Sequence, residues 1–135
     1  MIFCRLFSNR SECTKLRQVL IHKYSGNCHC TICMIPFPVQ LLDTAHLKPR
    51  HNLCSVLERK NIHNVEFMCK MCHSIYDRGF IGVNSNGIIE SKHASSFLST
   101  LNVFNQIGRV YSKYSDHNAP FLNWHYDHIF NKDAK

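Results

Sequence analysis

Two cysteine pairs, Cys30-x-x-Cys33 and Cys69-x-x-Cys72, enclose 35 residues. Each pair sets two soft thiolates one tight turn apart, so each fills half of a tetrahedral zinc shell and the two together offer a closed site of four sulfurs. Cys28 is an alternative ligand to Cys30, although C-x-x-C spacing forms the knuckle turn directly and favours Cys30. Cys4, Cys13 and Cys54 follow no pairing rule and read as idle or buried thiols. A zinc pinned at both ends would make the enclosed segment a rigid platform. On it or beside it stand His46, Asn64 and His73. A histidine that is mostly neutral near neutral pH can take a proton from water, and His46 is the candidate general base. His73 and Asp77 are four residues apart, on one face of a predicted helix. An imidazole and a carboxylate there could hold a divalent cation, with the carboxylate tilting preference toward Mg²⁺ or Mn²⁺. Asp77 could instead pair with Arg78. An acid at a helix C-terminus is electrostatically unfavourable, however, which points to a use beyond structure. Arg78 offers a fork of donors suited to a phosphate, or else caps an exposed helix end.

The elements that must position these groups are short. Leu16, Val19, Leu20 and Tyr24 follow helical spacing from a cap at Ser11 to a stop at Gly26, giving a helix over about 12–24. Lys15, Arg17, Gln18 and Lys23 form its solvated face. Val39 to Thr44 reads as a strand leading into His46, and Val65 to Met68 as a second. The stretch between, 48–63, carries Lys48, Arg50, His51, Arg59, Lys60 and His63 with few apolar anchors and reads as an exposed basic loop. Residues 69–78 form a helix closed by Gly79. Two β-rich runs around Asn84-Ser85-Asn86-Gly87 predict a hairpin. Residues 91–117 have no clear period. Pro120 opens a C-terminal helix in which Leu122, Tyr126, Ile129 and Phe130 can be buried, while Trp124 and His125 read as core and capping residues.

With 135 residues the chain has room for one domain, 1–135, comprising a core of about 28–79, the N-terminal helix and an extension over 80–130. A net charge of +7 fits a polyanionic partner. No apolar run is long enough to span a membrane, so no membrane partner is expected. The N-terminus breaks at Arg5 and lacks a cleavable apolar region. Eight cysteines without such a signal favour metal thiolates in a reducing, intracellular compartment over disulfides in a secreted protein.

Read in order, His46, Asn64 and His73 resemble the signature of the HNH endonucleases, which have a ββα-metal core. Residues 42–49, Leu-Asp-Thr-Ala-His-Leu-Lys-Pro, are similar to the first strand and turn of the branch with Ala-His where others have Asp-His. Residues 64–69, Asn-Val-Glu-Phe-Met-Cys, resemble the middle motif, and residues 69–79 resemble the helix and its exit. Residues 17–26 resemble the preceding helix, and residues 122–130 a terminal segment of restriction-type members.

The resemblance implies an α+β fold: a ββα-metal core with a four-cysteine zinc site, flanked by an N-terminal helix, a hairpin and a C-terminal helix. It also implies metal-dependent hydrolysis of DNA phosphodiesters. His46 would be the base, and a cation at His73 and Asp77 would take the place of the His-x-x-x-His pair of the colicin-type branch. Asn64 would fix the loop carrying the base or, as in some branches, bind the metal. Members with Asp-His place an acid where this chain has Ala45, so Asp43, two residues earlier, is the possible third ligand or a strand cap. A homodimer is compatible with a site that cuts one strand at a time. The alternative is a zinc-stabilised nucleic-acid binding module that lost turnover through Ala45.

Overall fold

In the computed structural model, residues 2–49, 55–92 and 96–132 are described, with side chains from residue 13 onward. Arg50, His51 and Cys54 of the expected basic loop, and the side chain of Cys4, lie outside these bounds. Helix α1 spans Ile2–Lys23. It begins well before Ser11, which is therefore not its cap. Leu16 and Leu20 are buried, whereas Val19 is half exposed. Arg17 does not belong to the solvated face. Its guanidinium donates to the carbonyl of Leu42 at 2.8 Å and to that of Val39, and reaches Thr44 Oγ1 at 3.2 Å. It also lies 5.5 Å from the Phe67 ring centroid. A half-buried arginine thus pins α1 across the sheet.

The first knuckle turns at Met34, whose φ is +68°, and its Thr31 N–H donates to the Phe67 carbonyl at 2.9 Å. A short 3₁₀ turn takes up 39–41, so the strand expected from Val39 is delayed. Strand β1 covers Leu42–His46 and β2 covers Val65–Cys69. They pair antiparallel, with Leu42 opposite Cys69, Ala45 opposite Glu66 and His46 opposite Val65. All five residues of β2 are buried.

Between these strands, the expected loop over 48–63 contains order. Helix α2, Val56–Lys60, is capped by Ser55, and a 3₁₀ turn follows at 62–64. Arg59 is buried at 4 % exposure. Helix α3, Lys70–Asp77, packs its buried Cys72, Ile75 and Tyr76 inward, and Gly79 ends it with φ +78°. A Cβ at Gly79 would stand 2.9 Å from the Ile129 carbonyl oxygen, so glycine serves both the left-handed turn and the close approach of the C-terminal segment.

Strands β3, Ile81–Val83, and β4, Ile89–Ser91, form the expected hairpin. In its turn the Asn84 side chain accepts from the N–H groups of Asn86 and Ile88, and Gly87 has φ +79°. Of the ambiguous stretch that follows, the described residues include a one-turn helix α4, Ser96–Ser99, and a 3₁₀ turn at 102–106. Helix α5, Ala119–His125, starts with proline in its first turn and continues as a π-helical turn over 126–130. Leu122 and Phe130 are buried there, and Tyr126 and Ile129 are partly so. Two small antiparallel sheets with helices on their flanks make the fold α+β. Among the described residues no helix is long and apolar enough to cross a membrane.

Candidate active site

The four sulfurs of Cys30, Cys33, Cys69 and Cys72 lie within 4.8 Å of one another, all buried and none in a disulfide. A tetrahedral zinc with bonds near 2.3 Å needs sulfurs about 3.8 Å apart, so the donor set fits that ion. Each knuckle has the same local device: the N–H of Cys33 points to Cys30 Sγ and that of Cys72 to Cys69 Sγ, each at 3.4 Å. Hydrogen bonding from Cys33 draws Cys30 down to about 7, and that from Cys30 draws Cys69 below the usual thiol range. Cys28 is buried but is not part of the four-sulfur group.

His46 closes β1 at 7 % exposure, and its Nε2 lies 3.2 Å from the Arg59 carbonyl oxygen. A carbonyl only accepts, so Nε2 carries the proton and the basic lone pair of the neutral ring belongs to Nδ1. Asn64 fixes the surroundings. Its Oδ1 accepts from the Lys48 N–H at 2.9 Å, its Nδ2 donates to the Glu58 carbonyl at 3.2 Å, and its own carbonyl accepts from the Leu47 N–H at 2.8 Å. One fully buried asparagine thus ties the chain after His46 to helix α2, whose next carbonyl, at Arg59, orients the His46 ring. Tyr76 adds a second tie, its hydroxyl donating to the Leu47 carbonyl at 2.6 Å.

His73 stands between two carboxylates. Its Nδ1 lies 2.9 Å from Asp43 Oδ2 and its Nε2 3.1 Å from Asp77 Oδ2. The hydrogen bond to Asp77, with that to Asp43, outweighs burial and lifts His73 to about 9. Burial pushes Asp43 up, but the hydrogen bonds from Lys70 and His73 together hold it below the usual carboxylate range. Lys70 reaches Asp43 Oδ1 at 2.7 Å. The structure thus brings together His73, Asp77 and Asp43, one from a strand and two from a helix. One imidazole and two carboxylates suit a hard divalent cation. Because the acids bond opposite edges of the ring, a cation gathering all three requires the imidazole to release one of them. The side chain of Arg78 is exposed at the end of α3, one residue beyond Asp77.

Sequence reasoning missed the supporting groups: the Arg59 carbonyl, Lys70 and Tyr76. Lys70 falls three residues before His73 on the same helix face, the one local signal that was available. The other two depend on contacts across 13 and 29 residues, which no local pattern encodes.

The site is thus a ββα unit with a four-sulfur cluster, a buried histidine closing its first strand and a histidine–carboxylate group on its helix. Residues 30–84 match the family model described as HNH endonuclease. No curated protein matches the chain.

Proposed function

We propose that this protein is a metal-dependent DNA endonuclease that hydrolyses phosphodiester bonds with His46 as general base. The observation that carries this reading is the tautomer of His46, with Nε2–H committed to the Arg59 carbonyl and the lone pair directed to Nδ1. Nδ1 accepts the proton of the attacking water as its oxygen closes on phosphorus, and the phosphodiester bond to the leaving oxygen breaks. Asn64 acts as a positioning residue, holding the segment after His46 against α2. His73, Asp77 and Asp43 would hold Mg²⁺ or Mn²⁺, which when bound neutralises charge gathering on the phosphate. Cys30, Cys33, Cys69 and Cys72 would hold zinc in a purely structural role. Arg78, exposed beside Asp77, would donate its fork of N–H groups to a phosphate of the bound strand.

Nicking of supercoiled plasmid with added Mg²⁺ or Mn²⁺ tests the proposal. Wild-type protein should convert the plasmid to the open circle and His46→Ala should not. Equal rates for the two would rule out His46 as the base.

A further inference from the structure

A cavity of about 410 Å³ lies between the end of α1, the turn entering β2 and the segment 113–118. Its chemistry belongs to no part of the site above. His22 and Lys23 come from α1, His63 from the turn, and Lys113, Ser115 and His117 from the distant C-terminal segment. His63 and His117 stack at 4.5 Å with their planes 19° apart. Lys23 and Lys113 both rest against the Tyr24 ring, at 5.3 and 4.7 Å from its centroid. Three stretches remote in sequence thus deliver two ammonium groups and three imidazoles to one cavity, and every imidazole offers at least one N–H in either protonation state.

The one acid in the lining, Glu66, is 3 % exposed. Its oxygens are already engaged, by the Tyr24 hydroxyl at 2.7 Å and by Lys23 at 3.5 Å. Two ammoniums against one occupied carboxylate leave a positive excess before any imidazole is charged. The lining does not suit a cation: two ammonium groups, Lys23 and Lys113, stand among its imidazoles.

Position completes the argument. His63 precedes Asn64, and Val65 is the ladder partner of His46. Two residues of chain and one strand spacing put the His63 backbone, at one wall of this cavity, within about 12 Å of the His46 backbone. We propose that the cavity is a subsite for a backbone phosphate of the nucleic acid, flanking the bond to be cut. The role as substrate subsite rests on the proposed function, whereas the anion chemistry of the cavity does not.

Two measurements on the full-length zinc-loaded protein test the subsite. In the first, inorganic phosphate is titrated while histidine ring signals are followed by NMR. The His63 and His117 signals should shift saturably, His29 should not, and the double variant Lys113→Gln/His117→Ala should lose the His63 response. In the second, affinity for a labelled duplex is measured against salt in metal-free buffer. The same variant should bind on the order of tenfold more weakly, with a salt slope shallower by about 1. Lys15→Gln, on an exposed part of α1, should bind as wild type does. Loss of nicking with the phosphate response intact would defeat the proposed function and leave the anion cavity standing. Nicking that persists while phosphate leaves the histidines unmoved and the variant keeps wild-type affinity and salt slope would overturn the subsite alone.

Discussion

Asp43 and Ala45 stand two residues apart on the same strand, and only Asp43 carries a donor. At position 45 alanine is fully buried opposite Glu66 and has no donor to give. Two residues earlier Asp43 contacts His73, so a carboxylate reaches the helical group from a different point of the same strand. Whether it serves the ion or only the imidazole separates two outcomes. As a ligand, Asp43→Asn should raise the Mg²⁺ concentration for half-maximal nicking about tenfold while zinc content stays constant, because the neutral amide binds a hard cation far less well. An unchanged metal titration curve would make Asp43 a partner of His73 alone. His46→Ala removes the proton acceptor without touching a thiolate, so nicking should fall about 10²–10⁴-fold at unchanged zinc content. Measured rates and metal analysis check both. Residue types and spacing made His46, Asn64, His73, Asp77 and the four cysteines legible. The C-x-x-C spacing also favoured Cys30 over Cys28, and the folded knuckle brings the Cys30 sulfur into the group of four.

At the scale of elements, strand β1, helix α2 and helix α3 must keep His46 and His73 in register. Two contacts join them around residue 47: Asn64 from below β2, and Tyr76 from α3. The Tyr76 hydroxyl is fully buried and its acceptor is the Leu47 carbonyl, which is buried as well. Tyr76→Phe deletes one oxygen and leaves that acceptor unsatisfied, a loss of about 1–3 kcal/mol. Chemical denaturation should read that loss directly. If the tie also sets the distance between base and helix, turnover at saturating DNA should fall more than affinity does. A fall in stability alone, with turnover unchanged, would make the tie purely structural. With zinc held as proposed, Cys69→Ser should release it and lower the thermal midpoint, because one of the four sulfurs is lost while serine still caps α3. The core strands and α3 were readable because period and capping agree there. Helix α2 was hidden: its few apolar residues, Val56 and Leu57, face solvent, and its burial falls on Arg59, a residue type that sequence patterns assign to the surface.

Across the whole molecule, the C-terminal extension is fastened to the ββα core by His125. Its ring stacks on Tyr76 at 3.6 Å, its Nε2 donates to the Tyr76 carbonyl at 2.7 Å, and it is fully buried. The Nδ1 atom is buried without a hydrogen-bond partner, so protonating it would place a charge where nothing receives it. Burial accordingly depresses His125 to about 4. Unfolded, the same ring titrates near 6.5, so between these values the unfolded chain binds the extra proton. The stabilising effect of a neutral His125 is therefore complete above pH 6.5 and is lost as pH falls toward 4. Between neutrality and about pH 5 this amounts to about 2 kcal/mol. His73 acts in the opposite sense in metal-free protein: raised to about 9, it contributes fully below 6.5, and that contribution is lost as pH rises through 9. Denaturation of wild-type protein from pH 7 down to 5 should show stability falling across the acid window. His125→Phe, which keeps the stacked ring and removes the titrating nitrogen, should flatten that slope even though its stability at neutral pH is lower. A slope equally steep in the variant would mean that another group carries the acid sensitivity, and that His125 does not act as the proton-sensitive fastener between the extension and the core.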